Sequence, residues 1–328
     1  MLSIADTVTE MVEWVFPEHA GAPGQIHGGR MMQWIATVGT IAASRVARGN
    51  VVPGAMDDID FLHPVKVGEI AVLRAQVEYV GRCSLEVGVQ VFAESPATRL
   101  RAITLSSHLV FVKVDAAGRP VPVPQGIEPR GPAEEGIHEA ARRRRAWRRE
   151  RLAGRAAAAA ASGLDDDAEG LRWTFESCRS VPPEDTLFGS TMFAGKLLMD
   201  IDEAGGILSM RYARGIVMTA CVDALDFYTP ISIHEVVVFK AALNHVGNSS
   251  LEVGVKVLAE APMTGEVRHA CTAYVSFVHL GPDLRPRPAP AFVPVSPAER
   301  RRWQAAVERR ARRLQRVKEL KASIQDGR

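Results

Sequence analysis

Cysteine is scarce in this chain: four residues in 328, Cys83, Cys178, Cys221 and Cys271. Their wide spacing matches neither a metal-ligand pattern nor the density of a disulfide framework. A reducing, cytoplasmic compartment is therefore the expectation, with no metal or cofactor. Net charge is nearly absent too. Forty Lys and Arg against 38 Asp and Glu leave +2, which gives no global field that would demand nucleic acid or a membrane surface as partner. No apolar run reaches the roughly 18 residues of a membrane-spanning helix. The opening MLSIADTVTEMVEWVFP has no basic start followed by an apolar run, so a secretory leader is not expected. Glycine-rich phosphate loops are also missing. What is present is an apolar fraction of 47%, enough for sizeable cores, in a chain long enough for two domains.

Compared with itself at an offset of 166 residues, the chain matches without gaps over a long stretch. Pro17-Glu18 returns as Pro183-Glu184, Gly29 as Gly195, and Asp60-Phe61 as Asp226-Phe227. GRCSLEVGVQV from Gly81 returns as GNSSLEVGVKV from Gly247. So long a period is a duplicated domain and not a solenoid. The clearest element of the duplication is FAGKLLMDIDEAGGILSMRYARG, Phe193 to Gly215, and its earlier copy HGGRMMQWIATVGTIAASRVARG, His27 to Gly49. Each opens on small residues and continues as an apolar run of helical length. A helix apolar nearly all round is surrounded by protein, so each is expected to be a core element. The second carries Asp200, Asp202 and Glu203; where it has Asp202, the first has Ala36. A buried carboxylate is costly unless paired or used.

After each helix come strand-like runs, in the first unit Gly54 to Leu62, Ile70 to Val80, Ser84 to Glu94 and Arg101 to Val114. They are rich in β-branched residues and separated by turn residues. One apolar helix followed by antiparallel strands predicts an α+β unit, a sheet wrapped around a central helix. The expected division is 1–125 for the first unit, 126–168 for a linker with an arginine-rich helix, 169–292 for the second unit and 293–328 for a second arginine-rich helix. The linker holds Arg142 to Arg145, Arg148, Arg149, Arg151 and Arg155, then an alanine run and Asp165-Asp166-Asp167. The last helix opens on a capping box, Ser296-Pro297-Ala298-Glu299. These helices read either as arms for nucleic acid or an acidic partner, or as solvated helices packing an apolar stripe (Trp303, Ala306, Val307, Leu314) on the domain. That arginines recur all round each helix favours the second.

A turn of the form HGG or FAG, a buried helix ending in ARG, D-x-x-DF with a following proline, and VG-x-x-SLEVGV together resemble the hot-dog-fold acyl-CoA thioesterases, and in duplicate the tandem hot-dog acyl-CoA hydrolases. The resemblance covers nearly all of the chain apart from the linker. It implies two hot-dog domains in tandem, each sheet around its helix, paired edge to edge into one continuous sheet. It also implies hydrolysis of a fatty acyl-CoA to free acid and CoA, in a homo-oligomer of three such chains. The family's catalytic aspartate falls on Asp202. A desolvated carboxylate there can deprotonate water or attack the thioester, and a helix N-terminus beside it offers N–H groups to the carbonyl oxygen. The family's loop asparagine is replaced by Gly21 in the first unit and Leu187 in the second, and with Ala36 for the first-unit acid at most one site is built, from Asp202 and the loop Gly24 to Gly29.

The remaining candidates for substrate contact are His27, at the mouth of that site or a satisfied turn residue, and Gly28, Gly29 and Gly195, which permit close backbone approach at the helix starts. Arg82, Ser84, Asn248 and Ser249 begin matched strands, where they either contact CoA phosphates or close a hairpin. Asp200 and Glu203 lie about 200° and 100° around the helix from Asp202, so they face elsewhere, in structural salt bridges. Two rival functions stay open: a degenerate hot-dog protein that binds acyl-CoA without hydrolysing it, and an assembly protein using its arginine helices.

Overall fold

The computed structural model describes residues 1–21, 24–162 and 170–326, with side chains outside 153–162 and 321–326. The Asp165 to Asp167 run and the Arg155 side chain lie outside the described residues. The first unit runs β1 (Thr9–Trp14), α1 (Gly28–Ala47), β2 (Val51–Met56), β3 (Ile59–Asp60), β4 (Ile70–Val80), β5 (Ser84–Glu94) and β6 (Arg101–Lys113), followed by α2 (Gly131–Ser162). The second repeats it as β7 (Thr174–Ser180), the short pair β8 (Thr186–Leu187) and β9 (Thr191–Met192), α3 (Ala194–Ala213), β10 (Ile216–Val222), β11 (Leu225–Asp226), β12 (Val236–Val246), β13 (Ser250–Ala261) and β14 (Glu266–Leu280), with α4 (Pro297–Asp326) last. This is the tandem α+β hot-dog arrangement, each antiparallel sheet wrapped around a central helix. The strands β1 and β7 are additions to the expected set. They form the outer edges of the two sheets, pairing with β4 and β12.

Both central helices are buried, as their all-round apolarity requires. Met31, Met32, Ile35, Val38 and Ala42 of α1, and Leu198, Ile201 and Leu208 of α3, lie in the core. The sheets curve around them at bulges that recur in both units: between Val77 and Tyr79, and again between Leu243 and His245; between Val91 and Phe92, and again near Val257. Two glycines seat the helices on the sheets. A methyl at Gly205 would lie 2.9 Å from the Phe277 ring, and one at Gly39 3.2 Å from Phe111.

The resemblance implies one continuous sheet. Instead there are two six-stranded sheets, of order β1-β4-β5-β6-β2-β11 and β3-β10-β14-β13-β12-β7. Each ends on a two-residue strand lent by the other unit. After Met56 the chain crosses over, so that Ile59 and Asp60 pair with Val222 and Cys221, while Leu225 and Asp226 pair with Met56 and Ala55. The Phe61 and Phe227 N–H groups donate to Ala220 and Gly54 of the opposite unit. The units are stitched through these exchanged ends rather than along a full edge.

The arginine helices lie on the outer faces of the sheets, and their docking corrects the expectation of an apolar stripe. Ala306 is buried and Trp303 packs on the core, but Val307 and Leu314 are exposed. Arginines do the anchoring. In the first unit Arg148 pairs with Asp57 and Glu86, and Arg144 with Glu78 and Glu86. The second unit repeats the scheme, Arg313 meeting Asp223 at 2.7 Å and Glu252 at 2.6 Å, and Arg309 meeting Glu252 at 2.6 Å. A third arginine of each helix crosses to the other unit. Arg151 reaches Asp226, and Arg316 reaches Asp60 at 2.6 Å. The D-x-x-DF acids are therefore the sockets of the arginine helices. Burial pushes the Asp223 carboxyl up to about 6 even with Arg313 beside it.

Removing one partner of a buried pair leaves an uncompensated charge and costs about 3–5 kcal/mol. Arg313→Ala is expected to lose stability of that order in chemical denaturation. Arg312→Ala, on the exposed side of the same helix, is expected to change it by less than about 0.5 kcal/mol. Equal effects from the two would contradict anchoring through the arginine sockets.

Candidate active site

The close approach of α1 and α3 creates the site. The start of α1 rests on the flank of α3, where a methyl at Gly29 would lie 2.9 Å from the Met199 Cα and 3.1 Å from the Asp202 Cβ. A methyl at Gly28 would lie 2.5 Å from the Thr219 hydroxyl oxygen. Only glycine fits at these two positions without displacement. The first N–H groups of a helix have no partner within the helix, and here Asp202 supplies one. Its Oδ2 accepts the Gly29 N–H at 2.7 Å, so a carboxylate from one unit caps the helix of the other. Its Oδ1 accepts the Thr219 hydroxyl at 2.8 Å. His27 Nδ1 stands 3.4 Å from Oδ2.

Asp202 is only 1% exposed. Burial raises its pKa, opposed by His27, the Thr219 hydroxyl and the Gly29 N–H; Glu203 on the same helix adds to the rise. The arrangement is a desolvated carboxylate, oriented by two donors, beside an imidazole and a helix N-terminus. The Gly28 N–H donates to no acceptor among the described residues. A cavity of about 340 Å³ adjoins His27, bounded by His19, Arg30, Met199, Glu203, Ile207 and Met210. Such a set can abstract a proton from water or attack a carbonyl carbon while offering a donor to the oxygen.

Of the residues singled out in the sequence, Asp202, His27, Gly28 and Gly29 come together here. Gly195 begins α3 at the repeat-related position, against Phe193 and Gln33. Arg82, Ser84, Asn248 and Ser249 sit at hairpins. Gly81 N–H donates to Ser84 C=O and Gly247 N–H to Ser250 C=O, both at 2.7 Å, and the Arg82, Asn248 and Ser249 carbonyls accept from Val123, Ala289 and His279. Arg82 and Asn248 are exposed, and none of the four bonds to the Asp202 cluster. Asp200 is in an ion pair with Arg179 at 2.6 Å. Glu203 has no ion pair among the described residues and lines the cavity instead.

Thr219 was not among the sequence candidates. The signal was available: Pro53 holds its place in the first unit, a contrast that accompanies Asp202 against Ala36 and His27 against Phe193. The Gly21 loop closes on itself, Gly21 N–H donating to Gln25 C=O and Gly24 N–H to Gly21 C=O, each at 3.0 Å. Ala22 and Pro23 lie outside the described residues. No cluster of His, Cys, Asp or Glu suited to a metal occurs among the described residues. All four cysteines are unpaired, and burial pushes the Cys221 and Cys271 thiols up to about 12, which keeps them unreactive. No described helix is long and apolar enough to cross a membrane.

The Thioesterase superfamily model matches residues 23–99 and 189–266, one match in each unit. The cytosolic acyl coenzyme A thioester hydrolase of Mus musculus is 26% identical over 301 residues, covering 88% of this chain and 78% of the relative. An uncharacterized acyl-CoA thioester hydrolase of Bacillus subtilis is 37% identical over 140 residues, 43% of this chain and 81% of the relative. Among solved structures, an acyl-ACP thioesterase from Bacteroides thetaiotaomicron superposes with a TM-score of 0.52 at 11% identity, over 84% of this chain and 100% of that one; at that identity it supports the fold.

Thr219→Val deletes one of the two donors to Asp202. An acceptor left unsatisfied in a buried place costs about 1–3 kcal/mol. Because the folded carboxyl already titrates above its ordinary value, losing a donor raises it further. The native state then pays increasingly for ionisation as pH rises through that pKa. The stability gap between wild type and Thr219→Val is expected to be larger at pH 8 than at pH 4, read from denaturation midpoints at the two pH values. A gap independent of pH would mean that the hydroxyl does not support the carboxylate.

Proposed function

The chain belongs to the thioesterase superfamily, and from that premise we propose that it hydrolyses fatty acyl-CoA thioesters to free acid and CoA at one site per chain, with Asp202 as base or nucleophile. One observation carries this reading: a fully buried carboxylate held by the Gly29 N–H and the Thr219 hydroxyl beside His27. As a base, Asp202 takes a proton from water while the hydroxide bonds to the thioester carbonyl carbon. The oxyanion is stabilised by the N-terminal amides of α1, with Gly28 free to donate. Collapse breaks the carbon–sulfur bond, and the proton on Asp202 passes to the departing CoA sulfur. Its raised pKa suits both halves of that exchange. Gly28 and Gly29 let the reacting carbon come close, and His27 is read as a substrate-side residue at the mouth. Gly195, Arg82, Ser84, Asn248 and Ser249 remain proposed substrate contacts, the exposed Arg82 and Asn248 for CoA phosphates at the surface.

The domain division follows the repeat, with 1–125 and 169–292 as the two hot-dog domains and the arginine helices as their outer straps. We propose an assembly of three chains. The open edge β1 carries exposed Val12 and Trp14, followed by exposed Phe16, which an assembly would cover. Unpaired thiols suit a reducing compartment such as the cytosol.

Asp202→Asn tests the role of the acid. The amide is nearly isosteric and can still accept from Gly29, so fold and acyl-CoA affinity are retained. It can neither take a proton nor attack, and turnover should fall about 10²–10⁴-fold. A variant with wild-type rates of thiol release would remove Asp202 from the mechanism. A second reading, binding without hydrolysis, draws on Gly21 standing where the family has an amide. No thiol release from acyl-CoA of any chain length would favour it.

The same gap gives a paired test of which loop serves which helix. Losing one oxyanion-type donor costs about 10²–10³ in rate, so the native enzyme is expected to be slow. Gly21→Asn is expected to raise turnover more than affinity. Leu187→Asn is expected to change nothing, because its partner acid is absent at Ala36. Equal gains from both would show that loop and helix are wrongly paired.

A further inference from the structure

A groove of about 290 Å³ lies between α4 and the second sheet, close to the roughly 300 Å³ at which small-molecule sites begin. It shares no residue with the cavity beside His27. The first unit's crossover segment contributes Phe61 and Leu62, α4 contributes Arg310, Leu314 and Val317, and β13 contributes Ser250 and Leu251. All but one of its charges are matched. Asp60 accepts from Arg316 Nε and Nη2 at 2.6 and 3.0 Å, and Glu252 accepts from Arg309 and Arg313, each at 2.6 Å. Burial lowers the pKa of His245, and Arg310 and Arg313 lower it further against the pull of Glu252, which favours the neutral ring. Arg310 is exposed and has neither an ion pair nor a hydrogen bond among the described residues.

The repeat shows how that guanidinium comes to be free. Matching the anchors Arg144, Arg148 and Arg151 to Arg309, Arg313 and Arg316 makes Arg145 the counterpart of Arg310. Arg145 is engaged: its Nη1 donates to the Tyr79 hydroxyl at 2.9 Å, and its guanidinium lies 5.2 Å from the centroid of that ring. In the second unit His245 holds the place of Tyr79 and has no hydroxyl. Its ring packs on Trp303, centroids 4.2 Å apart, and takes nothing from Arg310. The walls differ in the same sense. Leu314 and Leu62 stand where the first unit's helix has Arg149 and the opposite crossover has Tyr228. One copy thus keeps its arginine on a phenol, and the other leaves it beside an apolar groove.

A single unmatched cation calls for a monoanion, and the apolar walls call for a hydrocarbon chain. A carboxylate fits the planar guanidinium. The Ser250 hydroxyl adds a second donor beside it: a methyl at Gly247 would lie 2.8 Å from that oxygen and 3.6 Å from Arg310 Nε. We propose that this groove binds a fatty acid, its carboxylate on Arg310 and its chain against Phe61, Leu62, Leu251, Leu314 and Val317. A fatty acid is also the product under the Asp202 reading. The groove's link to the reaction rests on that reading, and its ligand chemistry does not.

The test uses the full chain with excess S-dodecyl-CoA, a thioether that cannot be hydrolysed, to occupy the Asp202 site. Dodecanoate is then titrated by calorimetry below its micelle concentration, with thiol release from dodecanoyl-CoA measured separately. Wild type should bind one equivalent of dodecanoate per chain, and neither acetate nor dodecyltrimethylammonium. Arg310→Gln, at an exposed position, should weaken dodecanoate at least about tenfold. His245→Tyr supplies the phenol that Arg145 has, so Arg310 turns to it and binding should fall likewise; Arg310→Gln decides the matter if His245→Tyr does not fold. Thiol release should stay at the wild-type rate in both variants. Displacement of dodecanoate by S-dodecyl-CoA, equal binding of acetate or the cationic chain, or unchanged affinity in a folded variant would overturn the proposal while leaving hydrolysis at Asp202 intact. Dodecanoate binding with no thiol release would instead overturn the thioesterase reading and leave the fatty-acid groove standing.

Discussion

The centre of the molecule depends on how closely the N-terminus of each central helix approaches the flank of the other. Glycine at positions 28 and 29 removes the atoms that would hold α1 off α3 and β10. The Gly29 amide, left over by helix geometry, then needs an acceptor in a dry place. Asp202 answers that need, and in doing so its own carboxylate is desolvated and oriented. Capping the helix and desolvating the carboxylate are thus two aspects of one contact. At the repeat-related contact Ala36 provides no acceptor, and Phe193 packs its ring against Gly195.

A second layer of charge holds the outside of each sheet. Arg144 and Arg148, and again Arg309 and Arg313, reach acids that the sheets present under the helices. Such pairs are not a large net source of stability, since desolvation offsets most of the attraction. Their value lies in register, because each arginine has a socket and a misplaced helix would bury charge without a partner. Arg151 and Arg316 extend the register across the units, beside the exchanged strands β11 and β3.

The repeat made much of this legible. The α1 and α3 spans, the strands β4 to β6 and the contrast of Asp202 with Ala36 all follow from apolar period and self-comparison. The edge strands β1 and β7 were harder: each is short, β1 buries only Thr9 and β7 buries no residue fully, and only pairing with β4 or β12 gives them form. The exchange of β3 and β11 is invisible to a reading that treats each unit alone. The arginine helices misled for a different reason. Charged residues are seldom buried, and the acids that bury Arg148 and Arg313 lie 91 and 90 residues away along the chain. Thr219 was missed although its contrast with Pro53 is of the same kind as the one that exposed Asp202.

Joining the two units in one chain has a consequence for how such a site can change. In a dimer of identical subunits the two-fold axis writes every substitution twice. A lost acid there silences both sites at once. In the fused chain the copies are edited independently: Ala36, Pro53 and Phe193 stand in one copy at the positions where the other has Asp202, Thr219 and His27. The duplication has turned a symmetry operation into a degree of freedom, and selection can act on one half of the molecule with the other held constant.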